Sequence, residues 1–230
     1  MTEKNEIEDN GILIKKQKTV TKMRTLMPLF GFIALVVIFS ILTGGRIIDP
    51  RNLKLMLSQV YVLMIASTGV FMIMTVGGLD FSQGSILGLT SIVFCIVSRT
   101  NIILGIIAAI IAGALMGAFN GIFHVKFKIA SFIVTICTMY LFRGLCKYIT
   151  TNGPVPASLE VLSLNQTWFK ILMTLMVLAI GFFFIHFTRL GYDLRAIGAG
   201  ETAARFSGSR PNLIKFLVFT AAGAITGFAS

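Results

Sequence analysis

The sequence predicts an all-α protein, a polytopic bundle of membrane-spanning helices, on three observations. Of its 230 residues, 56% are hydrophobic and only 13% charged, where an ordinary soluble domain carries about 25% charged residues. Mean hydropathy is +0.89, which leaves more apolar surface than one core can bury and makes lipid the solvent. The charges are also segregated: residues 25–45, 55–79, 81–98, 100–125, 129–142, 171–188 and 216–230 contain none. Crossing the hydrocarbon takes about 20 helical residues, with about 17 to 25 tolerated, so these windows are seven candidate spans. The net charge of +11 would point to nucleic acid in a soluble chain. Here the basic residues fall between apolar runs and read as topology signals, so membrane lipid is the expected surrounding and no nucleic-acid partner is expected.

Taken in order, residues 1–26 form a charged and polar leader without a small-residue cleavage site, and the first apolar run begins near Met27. A cytoplasmic N-terminal tail is expected, not a signal peptide. Spans two and three are separated only by Asp80, in TVGGLDFSQGS. Gly77 and Gly78 can end span two, and Asp80 or Ser82 can accept hydrogen bonds from the first amides of span three, where the helix dipole favours negative charge. An ionisable group at a helix centre in the membrane costs about 2.5 to 3.5 kcal/mol on translocon scales, which makes it a functional candidate by default. Capping of span three and direct contact with a transported solute both stand open for Asp80.

Span four carries Gly113, Gly117 and Gly121 at four-residue intervals, and span seven repeats the pattern at Gly223 and Gly227. Each strip of bare backbone lets a neighbouring helix approach closely, and packing inside one bundle is the reading favoured over a dedicated dimer interface. Span five extends past Arg143 to Cys146, with the guanidinium snorkelling outward. Cys95, Cys137 and Cys146 have no close paired spacing and read as buried thiols; no metal site and no disulfide are expected. The connection from Tyr148 to Trp168 is broken by Asn152-Gly153-Pro154 and Pro156, and is open to reading as an external docking surface or a plain loop.

Residues 188–212, TRLGYDLRAIGAGETAARFSGSRPN, are the longest polar stretch on the inner side after the leader. Within them ETAARFS has helical propensity and is bracketed by Gly198, Gly200 and Gly208, with Glu201 and Arg205 in the favourable i,i+4 order. A docking knob for a soluble partner and a solvated connector are both compatible with that composition. Span seven is cut by the chain's end at Ser230, so the chain is expected to be a piece of a longer protein. With the N-terminus inside, thirteen Lys and Arg fall on the cytoplasmic side and seven on the other, the bias that sets this orientation.

Chemistry has few residues to work with. There is no Ser/His/Asp set, no paired carboxylates, no HExxH and no P-loop, and His124 and His186 fall near the inner ends of spans four and six as interfacial imidazoles. No catalytic residue is expected.

Four segments together resemble one family. GGLDFSQGSILGL is similar to a GGIDLSVGS signature, GAFNGIFHVKFKIASFIVTICTM to an NG then FIVTLGTM stretch, YITTNGPV to a TNG loop, and GYDLRAIGAGETAARFSG to a GxxxxAIGGNExAARxSGI segment. They occur in the order and spacing of the membrane permease subunits of bacterial ABC importers for ribose, galactose, xylose and related small solutes. The resemblance runs from about residue 27 to 230 and implies a permease domain, incomplete, with seven spans present of about ten expected.

It further implies a multi-pass protein of the bacterial cytoplasmic membrane that imports a monosaccharide or related solute. Its partners would be a second permease subunit in a homo- or heterodimer, a cytoplasmic tandem ATPase that holds the ATP and Mg, and an extracytoplasmic sugar-binding protein. No cofactor would bind this chain. Gly77, Gly78, Asp80, Ser82 and Gly84 match the signature beside the translocation pathway. Glu201, Ala203, Ala204, Arg205, Ser207 and Gly208 match the coupling segment that seats in the ATPase, within residues 189–212. Gly200 stands where many members have Asn, and Ser209 where Ile is usual. A secondary transporter or channel without an ATPase is the rival class; it calls for several intramembrane ionisable residues, and only Asp80 qualifies.

Overall fold

The structure, a computed structural model, describes residues 26–161 and 166–230. The leader expected to be a tail lies outside the described residues except for Leu26, and so do residues 162–165 of the connection from Tyr148 to Trp168. Two compact units divide the chain between Leu57 and Ser58. All regular structure among the described residues is helical.

The first unit opens with α1 (Leu26–Leu42). A turn at Gly44 and Gly45, both with positive φ, leads into a short 3-10 helix (Arg46–Ile48) and the start of α2 (Pro50–Thr75). Proline at the first helical position forfeits only an amide that has no helical partner, and Asp49 Oδ1 accepts the Arg51 amide at 2.8 Å, so α2 has a capped beginning.

The second unit continues α2 and adds α3 (Gln83–Ser98), α4 (Ile102–Lys126), α5 (Ser131–Ile149), α6 (Thr167–Phe187), α7 (Arg189–Ala199), α8 (Glu201–Phe206) and α9 (Pro211–Ala229). Its outward faces present Leu63, Leu115, Phe183 and many similar side chains, each about 60% exposed. A soluble monomer does not carry apolar surface on that scale, and hydrocarbon is the medium that accepts it.

Five of the described helices, α2, α4, α5, α6 and α9, are long and apolar enough to cross a membrane. The expectation of seven spans is therefore met for five. The apolar helices α1 and α3 are shorter, and α3, at 16 residues, reaches about 24 Å where the hydrocarbon needs about 30 Å. The reason is local: the charge-free window that began at Phe81 does not begin as helix, because residues 78–82 are irregular backbone and α3 starts only at Gln83. Span five, by contrast, runs beyond Cys146 to Ile149.

Antiparallel α4 and α9 form the tightest pair. A Cβ at Gly113 would strike the Gly223 carbonyl, one at Gly117 the Phe219 carbonyl, and one at Gly227 the Ala109 carbonyl. The glycine strips of the two helices thus face each other within one chain, and only residues without a side chain allow backbones this close. The core collects at one end of the unit, where Met72, Ile73 and Val76 of the α2 end meet Ile185, Leu194, Ile197, Ala204, Ile214, Val218 and Phe219. The three cysteines are free, but only Cys95 and Cys146 are half-buried; Cys137 is exposed, because its face of α5 points away from the other helices of the unit.

Candidate functional site

The break between α2 and α3 is built by glycine. Gly77 has φ +79, its amide donates to Met74 O at 3.0 Å and the Gly78 amide to Ile73 O at 3.0 Å, a left-handed helix end that returns the last carbonyls of α2 to partners. Beyond it the chain runs non-helically past α5. There the Leu79 amide donates to Ser131 Oγ at 3.0 Å and the Phe81 amide to Thr135 Oγ1 at 3.2 Å. Irregular backbone among apolar helices needs protein groups to take up its hydrogen bonds, and two hydroxyls of α5 do so here.

Asp80 is the centre of this segment, and it does not cap α3. Its Oδ1 accepts the Ser82 amide at 2.8 Å and the Ser82 hydroxyl at 2.6 Å, while Oδ2 accepts the Gln83 side-chain amide at 2.6 Å. Ser82, the residue before the first helical position, makes no side-chain capping bond either. Expected capping is replaced by an Asx-type turn that keeps the carboxylate facing side chains instead of helix amides. Two further donors stand behind: Asn120 Nδ2 donates to Ser82 Oγ at 2.8 Å, and Thr226 Oγ1 donates to Gln83 Oε1.

Two chains of donors therefore lead toward Asp80, from Asn120 through Ser82 on one side and from Thr226 through Gln83 on the other. Ser82, Asn120 and Thr226 are fully buried and Gln83 nearly so. Gly77 and Gly84 are exposed and Gly78 is buried, the last because a Cβ there would meet the Ile73 side chain. Gln83, Asn120, Thr226, Ser131 and Thr135 were not among the expected site residues. The signal that could have found them is plain: they are amide and hydroxyl side chains inside otherwise apolar windows.

The second candidate region lies at the end of the bundle that holds the core. Thr188 Oγ1 accepts the Gly191 amide at 3.1 Å and starts α7, a helix where the sequence reading placed none. Its apolar side chains Leu194 and Ile197 are buried in the core, and Gly198 abuts the Thr75 carbonyl. Next, α8 ends as expected: Gly208 has φ +88 and the Ser209 amide donates back to Ala204 O at 3.1 Å. The departure Ser209 has its own partner, Asp193 Oδ1 at 2.6 Å.

Glu201 reaches two cations, Lys215 Nζ of α9 at 2.6 Å and Arg205 Nη2 at 3.3 Å. The Lys215 hydrogen bond holds its carboxyl below the usual range, against a smaller opposing effect of burial. The pair is thus whole at neutral pH and is lost only as pH falls through that lowered value. Exposure divides the expected coupling residues. Ala203, Arg205, Ser207 and Gly208 are exposed, but Ala204 is 1% exposed and belongs to the chain's own core, whereas its neighbour Phe206 is 90% exposed. Ala204 is therefore an anchor of α8, and Phe206 is the apolar side chain that α8 presents.

At the other end of the unit, Arg99 Nε donates to Pro156 O at 2.9 Å, tying the α5–α6 connection to the end of α3. A cavity of about 670 Å³ lies nearby, lined by apolar side chains including Tyr61, Phe94, Ile106, Phe169 and Met173. Most of its lining is apolar, in contrast to the polar network around Asp80.

Residues 52–230 match the model of a family described as the permease component of branched-chain amino acid transport systems. The chain belongs to this permease family. It is similar to the ribose import permease protein of Bacillus subtilis, at 35% identity over 90% of this chain and 67% of that protein, and to that of Escherichia coli K12, at 30% over 89% and 68%. It is also similar to the L-arabinose ABC transporter permease protein of Azospirillum brasilense, at 31% over 82% and 58%. The chain thus spans about two thirds of the ribose permeases it resembles. No solved structure gives a significant match. Its relatives are permease subunits of transporters, and with five apolar helices of spanning length this permease is a multi-pass membrane protein.

Proposed function

We propose that this permease is the transmembrane subunit of an ATP-driven importer that moves a monosaccharide or a closely related small solute across the bacterial cytoplasmic membrane. The observation that carries the reading is the carboxylate at the α2–α3 break, ringed by donors and held at an interruption of helix. Discontinuous helices of this kind form solute sites near the membrane midplane. In this reading residues 1–26 are the cytoplasmic tail, 27–230 belong to the permease domain, and 189–212 are the coupling segment. Gly77, Gly78, Asp80, Ser82 and Gly84 border the pathway. Glu201, Ala203, Arg205, Ser207 and Gly208 shape the surface offered to the ATPase, Phe206 anchors it, and Ala204 holds it to the bundle.

ATP hydrolysis then belongs to a tandem ATPase, solute capture to an extracytoplasmic binding protein, and the pathway closes with a second permease subunit. Pentoses lead the solute list, because the relatives above are ribose and arabinose permeases. The test is uptake of labelled ribose, arabinose and fructose by cells that lack their own sugar permeases and carry the full-length permease with its ATPase and binding protein. Uptake of one sugar that disappears when the ATPase carries an inactivated P-loop is the expected result. Uptake that persists without the ATPase identifies a secondary transporter or channel instead.

A further inference from the structure

Thr226 and Gln83 tie the Asp80 segment to a second part of the fold. The outer donor of each arm of the Asp80 network comes from the same pair of helices: Asn120 from α4 and Thr226 from α9. Those two helices touch backbone to backbone at Gly113, Gly117, Gly223 and Gly227, a contact without side chains to yield, so they move as one body. The start of α9 is bound to the coupling segment twice. Lys215 holds Glu201 at 2.6 Å, and Ile214 and Val218 share a buried core with Leu194, Ile197 and Ala204. From Lys215 to Thr226 is about three helical turns, about 16 Å of rigid rod.

We propose that Thr226 and Gln83 are positioning residues that make α9 a lever between the coupling segment and the Asp80 carboxylate. Displacement of α8 by a partner pulls the start of α9 through Glu201 and the shared core. The α4–α9 pair carries the displacement along the bundle, and the Thr226–Gln83 hydrogen bond delivers it to Oδ2 of Asp80. Asn120, on the same rigid pair, moves Ser82 and Oδ1 in step. The carboxylate is thereby turned or withdrawn as a unit with its donors. This inference rests on the importer reading for the identity of the partner, but the mechanical joint is a property of this chain alone.

Two measurements separate the two claims. In the full-length permease reconstituted with its ATPase and binding protein, Thr226→Val exchanges a hydroxyl for a methyl of similar volume, and Thr226→Ser keeps the hydroxyl. The joint predicts that Val lowers solute transported per ATP hydrolysed by about fivefold or more with co-purification of the ATPase unchanged, and that Ser restores the ratio. A fall in both rates with their ratio preserved means a structural role and overturns the proposal, as does a wild-type ratio. Should Val fail to accumulate in the membrane, Gln83→Met is read by the same ratio; loss of both proteins from the membrane also overturns it.

The second measurement needs no ATPase. With Cys95, Cys137 and Cys146 replaced by Ser, the labelling rate of Leu79→Cys, beside Asp80, reports the posture of the segment. Severing the tie to α8 by Lys215→Met changes that rate by about fivefold, and adding Thr226→Val abolishes the difference. An effect of Lys215→Met that is equal in both backgrounds eliminates the lever even if the chain transports sugar. A difference that vanishes upholds the lever even if no ATPase binds.

Discussion

At the residue scale Asp80 decides between structure and charge. Asn at this position keeps one acceptor oxygen for the two Ser82 donors and offers an NH2 where Oδ2 stood. Gln83 can turn its amide to accept from that NH2, and its own NH2 then faces Thr226 Oγ1, which has the Ala222 carbonyl at 3.0 Å as an alternative acceptor for its proton. Asp80→Asn should accumulate in the membrane at close to the wild-type level. Asp80→Leu strands the donors of Ser82 and Gln83, at about 1 to 3 kcal/mol for each buried group left unpaired, and should accumulate several-fold less on a membrane immunoblot. Loss of transport in a well-accumulated Asp80→Asn assigns the role to the charge.

The same scale corrects the reading of ETAARF. Ala204→Trp forces a large ring into the chain's own core and should cost membrane accumulation outright, as overpacking does. Phe206→Ala leaves the core alone and should weaken co-purification of the ATPase by about tenfold, since an exposed aromatic is the kind of side chain on which association energy concentrates. Equal co-purification of Phe206→Ala and wild type would remove Phe206 from the docking surface. Composition could not separate Ala203 from Ala204, because only the direction in which α8 lies decides which alanine is inside.

At the scale of elements, the glycine strips were legible and the α2–α3 break was only half so. Repeats of small residues at four-residue spacing carry their meaning in one helix's own sequence, and α4 and α9 meet along both strips. A Cβ at Gly117 would overlap the Phe219 carbonyl, so Gly117→Ala has to push two backbones apart and should destabilise the bundle by about 1 to 3 kcal/mol, seen as a lower midpoint of thermal aggregation in detergent. Gly144, where a Cβ meets nothing, is the control, and Gly144→Ala should leave the midpoint in place. In the α2–α3 region the glycines announced an ending, but nothing in the charge-free window from Phe81 onward announced that helix resumes at Gln83. That boundary is set by Ser131 and Thr135 of α5 and by Asn120 and Thr226, polar partners distant in sequence, and a window average sees none of them. Helix α7 was missed for a related reason: its polar face dominated the composition, although Leu194 and Ile197 stand at the spacing of a buried stripe.

At the scale of the whole molecule the sequence yields class from bulk quantities, apolar excess and segregated charge, and family from four motif segments in order and spacing, while the placement of Lys and Arg predicts which side of the membrane each connection takes. Connectivity within the second unit turns that placement into a sharp expectation. The α5 end at Thr150 and the following residues lie at the end of the helices opposite to α7 and α8, because α4 is antiparallel to both α5 and α9. Asn152 and Ser207 are both exposed and occupy those opposite ends. With seven basic residues assigned outside and thirteen inside, the charge bias predicts residue 207 on the cytoplasmic side. In the full-length permease with its native cysteines replaced, Asn152→Cys should react with a membrane-impermeant maleimide in intact cells, and Ser207→Cys only after the cells are opened. Reaction of both in intact cells breaks the bundle's assignment of sides. The mirror result inverts it, placing Phe206 and the Glu201–Lys215 tie outside, where no ATPase can reach them, and the lever through α9 would then have nothing to pull on it.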